Sequence, residues 1–366
     1  MKLIVLDKDF QTMGSVPLFR TLIWARRYEK LGCFELYTSK DYFHLLNTGR
    51  YLYRSDADEL GVIDEVNYSQ DENGARESYA KGNFAEKLLA DRVIETTVRL
   101  AGNVEVALRS LVQRTAIEPA ESDRKIKHLR LGDVSGIQST IEIQATGDNL
   151  SDKLYEVGNT LEISHRVRYD YLTDDLAFEV WQGKDRRDTQ EENAWAIFSN
   201  SFYNIRNVIY NRNESSYKNF AYVAGAGEGA NRKIVVVDLR QPGEERKEIW
   251  VDARDLQEED NNGNKIPDAT YRAQLAQRGR EKLAEYRKVE TINSGVDPNA
   301  NLVYKKDFDL GDYCTYINTE IHISTDKRIT EAMETYEGGA MELEITFGTD
   351  EISTVRQLIK REAGTC

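Results

Sequence analysis

Residues 219–240 read NFAYVAGAGEGANRKIVVVDLR, and how they are read decides what kind of fold this is. Three glycines, Gly225, Gly227 and Gly229, follow an apolar run, which is where a nucleotide-binding protein puts its phosphate loop. A dinucleotide fingerprint needs G-x-G-x-x-G between a strand and a helix, because the pyrophosphate sits on the helix N-terminus. Here the spacing is G-x-G-x-G, and the following RKIVVVDLR is a β-branched run that favours a strand. The segment therefore reads as a hairpin: FAYVAG up, a glycine tip, KIVVVDL down. No cofactor is expected there.

The strand reading extends to most of the chain. With 366 residues, about two or three domains are expected. The 40% hydrophobic and 31% charged content marks ordinary globular material. Tyrosine is plentiful (20) and proline scarce (5), which favours pleated, half-buried surfaces. Acidic side chains outnumber basic ones by 63 to 49, a net charge of −14. Non-specific nucleic-acid binding needs the opposite balance, so DNA is not expected to be bound, although it could slide past. The opening MKLIVLDKDF is too short in apolar residues for a signal peptide, and no stretch approaches a membrane span. Synthesis in the cytoplasm without membrane insertion is the expectation. Cys33, Cys314 and Cys366 show no CxxC spacing and read as two packing residues and a terminal thiol.

Along the chain, LIVLD (3–7) and TLIWARRY (21–28) read as strands joined by a turn around Gly14, and CFELYT (33–38) alternates with Phe34, Leu36 and Thr38 on one face. Residues 62–82 form a hairpin by their chemistry, with Asn73-Gly74 at its turn. Helices are expected at 84–94, capped by Asn83, at 103–115, capped by Asn103, and at 149–161. The polar, proline-bearing stretch 116–129 reads as a linker. Strands follow at 163–172 and 176–186, with Thr173-Asp174-Asp175 as the turn between them. Beyond Trp195 the chain is strand-rich, interrupted by a solvated helix at 271–290 whose apolar stripe is Leu275, Ala276, Leu283 and Tyr286.

Chemistry-bearing constellations are missing from this pattern. His44, His128, His165 and His322 are scattered, and neither GxSxG nor a P-loop occurs. DFDLGD (307–312) offers Asp307, Asp309 and Asp312 but lacks the distant bidentate glutamate of a calcium loop. Gly263 in DNNGNK comes too early for the same loop. Asp174 and Asp175 are adjacent on a turn and do not flank a sugar. Trp24, Trp181, Trp195 and Trp250 lie in alternating strands, where packing is the expected role. No catalytic, cofactor-binding or metal-binding residue is expected, and the protein is read as not an enzyme.

The ordered series LIVLDKDFQTMGSVPLFRTLIWARRY, GCFELYT, VIDEVNYSQDENGARESYAKGNFAEKLLADRVI, LAFEVWQGKDRRD, NFAYVAGAGEG and DFDLGDYCTYIN…KRITEAMETYEG…LEITFG resembles the baseplate hub, or tail-tip, proteins of long-tailed non-contractile bacteriophages. The resemblance runs over nearly the whole chain. It implies a β-rich α+β fold: two tail-tube-like β-barrel domains, 1–97 and 196–366, flanking a middle α+β domain at 98–195, with a helical insertion near 270–290. It further implies a homotrimeric ring at the virion tail tip, closing or adapting the tail tube and forming part of the DNA channel. Its partners would be the distal tail protein, the tail tube and other tail-tip or receptor-binding proteins. Related proteins often carry a cell-wall-cleaving domain after the hub. With only about twenty residues beyond LEITFG, none is expected here. Tyr222, Gly225, Gly227 and Gly229 are the expected subunit contacts. The alternative reading is a β-rich tail adhesin that binds host carbohydrate through its tyrosines.

Overall fold

The computed structural model describes residues 1–349 except 71, 73, 75, 260–262 and 298–299. Strands make up 44% and helices 18%, in keeping with the β-rich expectation. Seven strands open the chain: β1 (Leu3–Leu6), β2 (Thr12–Ser15), β3 (Phe19–Arg27), β4 (Cys33–Thr38), β5 (Tyr51–Arg54), β6 (Leu60–Gln70) and β7 (Arg76–Phe84). They pair antiparallel in the order β2-β1-β5-β6-β7-β4-β3. The face expected of β4 is buried through Phe34, Leu36 and Thr38. The β6–β7 hairpin forms with Gln70 opposite Arg76. Gly74 has φ 79° there, while Asn73 lies outside the described residues.

Two local expectations fail, one to a nearby side chain and one to sheet pairing. Gly14 sits inside β2, opposite Val5, because the Asp7 carboxylate makes the turn earlier by accepting the Asp9 and Gln11 amides, both at 2.9 Å. The helix expected at 84–94 shrinks to α1 (Lys87–Ala90). Phe84 instead ends β7 and packs its ring 4.6 Å from Trp24, while Asn83 pairs within the strand and caps nothing. Sheet pairing outweighs helix propensity here.

The middle of the chain carries β8 (Val98–Asn103), α2 (Val104–Val112), β9 (Leu129–Leu131), β10 (Thr140–Ala145), α3 (Leu150–Leu161), β11 (Ser164–Asp170) and β12 (Asp175–Trp181). Asn103 caps α2 through the Val106 amide at 3.1 Å, and Asn149 caps α3 through Ser151 and Asp152. The stretch 116–129 is not a free linker. Ala116, Ile117, Ile126 and Leu129 are buried in the middle core, so its apolar residues outvote its proline.

The remaining elements are β13 (Asp185–Arg186), β14 (Ile197–Ser199), β15 (Ile205–Asn213), β16 (Phe220–Ala224), β17 (Ile234–Asp238), β18 (Glu248–Asp252), α4 (Asp268–Ala284), β19 (Val289–Val296), β20 (Tyr313–Asn318), β21 (Ile323–Glu337) and β22 (Ala340–Thr349). β15 pairs directly with β19, so residues 214–288 between them form an inserted unit. That unit is a three-stranded sheet, β17-β16-β18, covered on one face by α4.

The fifteen-residue β21 is the hinge of the architecture. Its first part pairs β20, and its second part lies between β22 and β3, with Glu331–Glu337 opposite Arg27–Thr21. The two strand-rich ends are thereby joined in one 14-stranded sheet. Among the described residues its order runs open from β15 at one edge to β2 at the other. Buried charges cross this seam. Arg54, from β5, meets Glu334 of β21 at 2.8 Å, and Arg26 meets Glu59 and Asp309, both at 2.6 Å.

Candidate interaction site

The glycine segment forms the hairpin read from the sequence, with Phe220–Ala224 opposite Asp238–Ile234 in register. Alternation along β16, β17 and β18 sorts the side chains into two faces. Ala221, Val223, Val237 and Val251 point to α4 and close a core with Tyr271, Leu275 and Leu283. The helical stripe falls differently from expectation. Tyr271, Gln274, Gln277 and Glu281 join Leu275 and Leu283 inside, whereas Ala276 is only partly covered and Tyr286 lies beyond the helix, which runs 268–284 rather than 271–290.

The three glycines have different work. Gly225 is buried under α4, where a Cβ would lie 2.4 Å from the Tyr271 hydroxyl and 3.0 Å from Leu275. Its absence lets the strand approach the helix closely enough for the Tyr271 hydroxyl to accept the Ala226 amide at 2.9 Å. Gly227, at φ 98°, turns the chain beside Asn231, and Gly229 lies at the exposed tip. The tip is pinned: Arg232 donates to the Gly225 and Ala224 carbonyls and to Asp252. The structure thus separates Gly225, inside, from Tyr222, Gly227 and Gly229, which reach the surface.

The opposite face of the sheet carries an exposed apolar patch. Trp250 is 55% exposed, Val236 50% and Ile234 42%, with Tyr222 half-buried between them. The Arg246 guanidinium lies 3.6 Å over the Phe220 ring and donates to the Tyr222 hydroxyl. Arg232 reaches over Trp250 at 5.7 Å. Around the rim, charges pair two residues apart on the same strand face: Asp238 with Arg240, Arg246 with Glu248, and Asp252 with Arg254. The Arg240 hydrogen bond brings the Asp238 carboxyl down to about 2, and the Arg254 hydrogen bond holds Asp252 well below the usual carboxylate range. Those carboxylates are charged at any ordinary pH. Trp250, Ile234 and Val236 were not singled out from the sequence as contacts, although the alternation of IVVVD and EIWVD places all three on one face.

The other carboxylates weighed from the sequence are committed to separate partners. Asp309 takes Arg26, and Asp312 takes Arg186 at 2.6 Å and the Lys184 amide at 2.8 Å. Asp307 accepts the Val303 amide at 2.8 Å. Asp174 accepts the Tyr169 hydroxyl at 2.7 Å, while Asp175 pairs with Arg130 at 3.2 Å. His165 is buried, and burial brings it down to about 3, so it packs as a neutral ring. Cys314 is a buried free thiol pushed up by burial, Cys33 is buried, and Cys366 lies outside the described residues. Among the described residues no helix is long and apolar enough to cross a membrane.

Comparison with known proteins adds the family to this geometry. Residues 2–349 match the model of the family described as Siphovirus ReqiPepy6 Gp37-like protein. The chain belongs to this family. It is a siphovirus-type tail protein with a structural role in the tail. No curated protein matches it. The fold is similar to solved tail proteins at low identity. The prophage tail protein gp18 from Listeria monocytogenes EGD-e aligns with a TM-score of 0.58 and 12% identity, over 99% of each chain. The 43 kDa tail protein of prophage MuSo2 from Shewanella oneidensis gives 0.57 and 11%, over 95% of this chain and 98% of that one. The tail protein from Neisseria meningitidis MC58 gives 0.56 and 13%, over 96% and 97%.

Proposed function

We propose that this tail protein is a hub of the tail tip or baseplate. In this reading three copies form a ring that closes or adapts the tail tube and lines part of the DNA channel. The two strand-rich ends act as two tail-tube-like barrels per chain, with the middle α+β domain beside them. The protein has no chemistry of its own and needs no cofactor. It is made in the host cytoplasm and ends in the virion tail tip.

The observation that carries this reading is the open order of the 14-stranded sheet. Among the described residues its main path ends at β2 and the nine-residue β15, each paired on one side only, and the short β13 and β14 pair only β20. An unpaired edge is a template for another strand, and long edges invite aggregation unless something covers them. A closed ring pairs or packs one chain's edge against its neighbour's and leaves no edge over. β15 carries a bulge between Arg206 and Ile209, and Ile209 is exposed, which suits a strand shaped for one particular neighbour. The net charge of −14 suits a lumen through which DNA slides without being held. The outer face with Tyr222 and Trp250, with the tip at Gly227 and Gly229, contacts a neighbouring copy or a tail partner such as the distal tail protein. Gly225 supports that face from beneath.

Light scattering on the purified chain, with and without tail tube, tests the reading. A particle near three times 42.0 kDa with a central hole in negative stain is the expected result. A monomer that stays a monomer with tail tube present overturns it.

A further inference from the structure

A second surface lies far from the glycine hairpin in the sequence and is built differently. Between the end of β5, with the loop after it, and the β11–β12 turn opens a cleft of about 640 Å³. Its aromatic wall is Tyr53 and Tyr171, whose rings are parallel (1° apart) with centroids at 4.8 Å. Tyr169 stands edge-on to Tyr53 at 5.5 Å and is fixed by its hydroxyl bond to Asp174. Tyr53 backs one face of Tyr171, and Tyr171 as a residue remains 42% exposed, which leaves the other face to solvent. Leu172, 92% exposed, forms the lip, and its amide donates to Asp170 at 2.9 Å, which sets the turn.

Besides small residues such as Ala57, Gly132 and Ala177, the rest of the lining is mainly charged, and much of it is held in place. Arg168 lies 3.2 Å from Asp58 and 3.6 Å from Glu179, and Arg130 pairs with Asp175. Five carboxylates line the cleft (Asp56, Asp58, Asp133, Asp170, Glu179) against two guanidiniums (Arg130, Arg168), an excess of three negative charges. A phosphate or an acidic sugar would be repelled, and an apolar ligand would displace water from these groups without replacing its hydrogen bonds. A ligand that offers hydroxyls to both carboxylates and guanidiniums, and an apolar ring face to Tyr171, meets every requirement. Tyrosine also suits this use because it supplies a large amphipathic surface at low entropic cost.

We infer that this cleft binds a short neutral saccharide, stacked on Tyr171 and hydrogen-bonded to the carboxylates and guanidiniums around it. The inference is independent of the ring reading: a hub can carry the site, and a ring can form without it. The test is an array of neutral and acidic glycans probed with the purified full chain, followed by titration calorimetry on any neutral glycan that registers. Saturable binding of at least one neutral glycan and none of the acidic ones is expected. Tyr171→Ala should weaken it by about tenfold, the worth of one aromatic contact of about 1.4 kcal/mol. Tyr171→Phe should keep it, and Tyr203→Ala, exposed and outside the cleft, should leave it unchanged. A melting curve on each variant shows that the fold is intact. Silence of every neutral glycan overturns the inference, as does binding that Tyr171→Ala does not weaken. Binding of a lysine-rich peptide instead, with no neutral glycan bound, would make the cleft a protein-docking groove and overturn it too.

Discussion

Arg54 and Arg246 both lie over aromatic rings, but in opposite surroundings. Arg54 is sealed in the seam between the two halves of the large sheet, 5.0 Å from Trp24 and 5.5 Å from Tyr336, with Glu334 as its buried counter-charge. Arg246 lies on the outer face of the inserted unit, over Phe220 and Tyr222, and pairs with the exposed Glu248. A buried charge that loses its partner costs about 3–5 kcal/mol, whereas an exposed pair contributes about 0–1 kcal/mol. The seam charges therefore cannot separate without unfolding, while the face charges can rearrange when a partner covers them. The first region holds the fold together, and the second is free to bind.

The sharpest way to break this comparison is to remove one seam charge. Burial pushes the Glu334 carboxyl up, but the Arg54 and Lys305 charges outweigh it and hold the group below its ordinary value. Glu334→Leu leaves Arg54 with only Asp56, half exposed and 3.3 Å from its Nε, as a counter-charge, and its Nη1 still has no hydrogen-bond partner. A loss of about 3–5 kcal/mol in urea unfolding is expected. The double variant Arg54→Met with Glu334→Leu should recover most of it, since two well-packed apolar chains leave no stranded charge. If the single variant loses under about 1 kcal/mol, the seam charges behave like surface ones and the contrast fails.

A pH series sharpens the same contrast inside the fold. Burial raises the Glu86 carboxyl to about 7, with the charge of nearby Glu59 adding to it. The folded state keeps that proton, whereas the unfolded carboxyl releases it near its ordinary 4.5. The stability Glu86 contributes is therefore whole below pH 4.5 and is lost as pH rises through about 7, a difference of about 3 kcal/mol. His165 runs the other way. Burial lowers it to about 3, so its contribution is whole above pH 6.5 and is lost as pH falls. Glu86→Gln should match the parent at pH 4.5 and exceed it by roughly 3 kcal/mol at pH 8 in urea melts. Equal stabilities at both pH values would show that Glu86 ionises freely where it sits.

Much of this was legible in the sequence, and most of what was missed came from contacts distant in the chain. The hairpins at 62–82 and around the glycines, the cap Asn103 and the strand CFELYT are set by local chemistry, and they formed as read. The helix at 84–94 and the linker at 116–129 depended on packing from elsewhere in the fold, Trp24 against Phe84 and the middle core around Ile126 and Leu129, whereas the turn expected at Gly14 was lost to a local one, made by the Asp7 carboxylate with the Asp9 and Gln11 amides. The β3–β21 seam was not legible at all, because nothing in either strand names a partner about 300 residues away. At the candidate contact, the glycine spacing drew the eye to the tip, while the wider apolar face came from the plain alternation of β17 and β18.

The glycines allow a smaller test of which side of the inserted unit is packed. Gly225→Ala puts a methyl against Tyr271 and Leu275 and should cost about 1–3 kcal/mol. Gly229→Ala meets nothing within 4 Å but holds φ 54°, so it should cost only about 1 kcal/mol. Thermal melts of both variants read the difference. Equal losses would mean that the strand and α4 do not approach as closely as their packing indicates.

The smallest expected change in stability belongs to the residue with the largest expected effect on assembly. Trp250 is more than half exposed and contributes little to the core beneath β18, so Trp250→Ser should shift stability by no more than about 0.5 kcal/mol. In the proposed ring the same side chain is a buried aromatic anchor, and such anchors carry about 2 kcal/mol or more of an interface's energy when truncated. Light scattering on the variant with tail tube present should then give the mass of a single chain. A variant that melts like the parent and still assembles would leave this face without a structural partner, and the ring would have to be held by the β2 and β15 edges alone. A variant that loses both stability and assembly would mean that Trp250 belongs to the fold, and the division between a region that holds and a region that binds would be drawn in the wrong place.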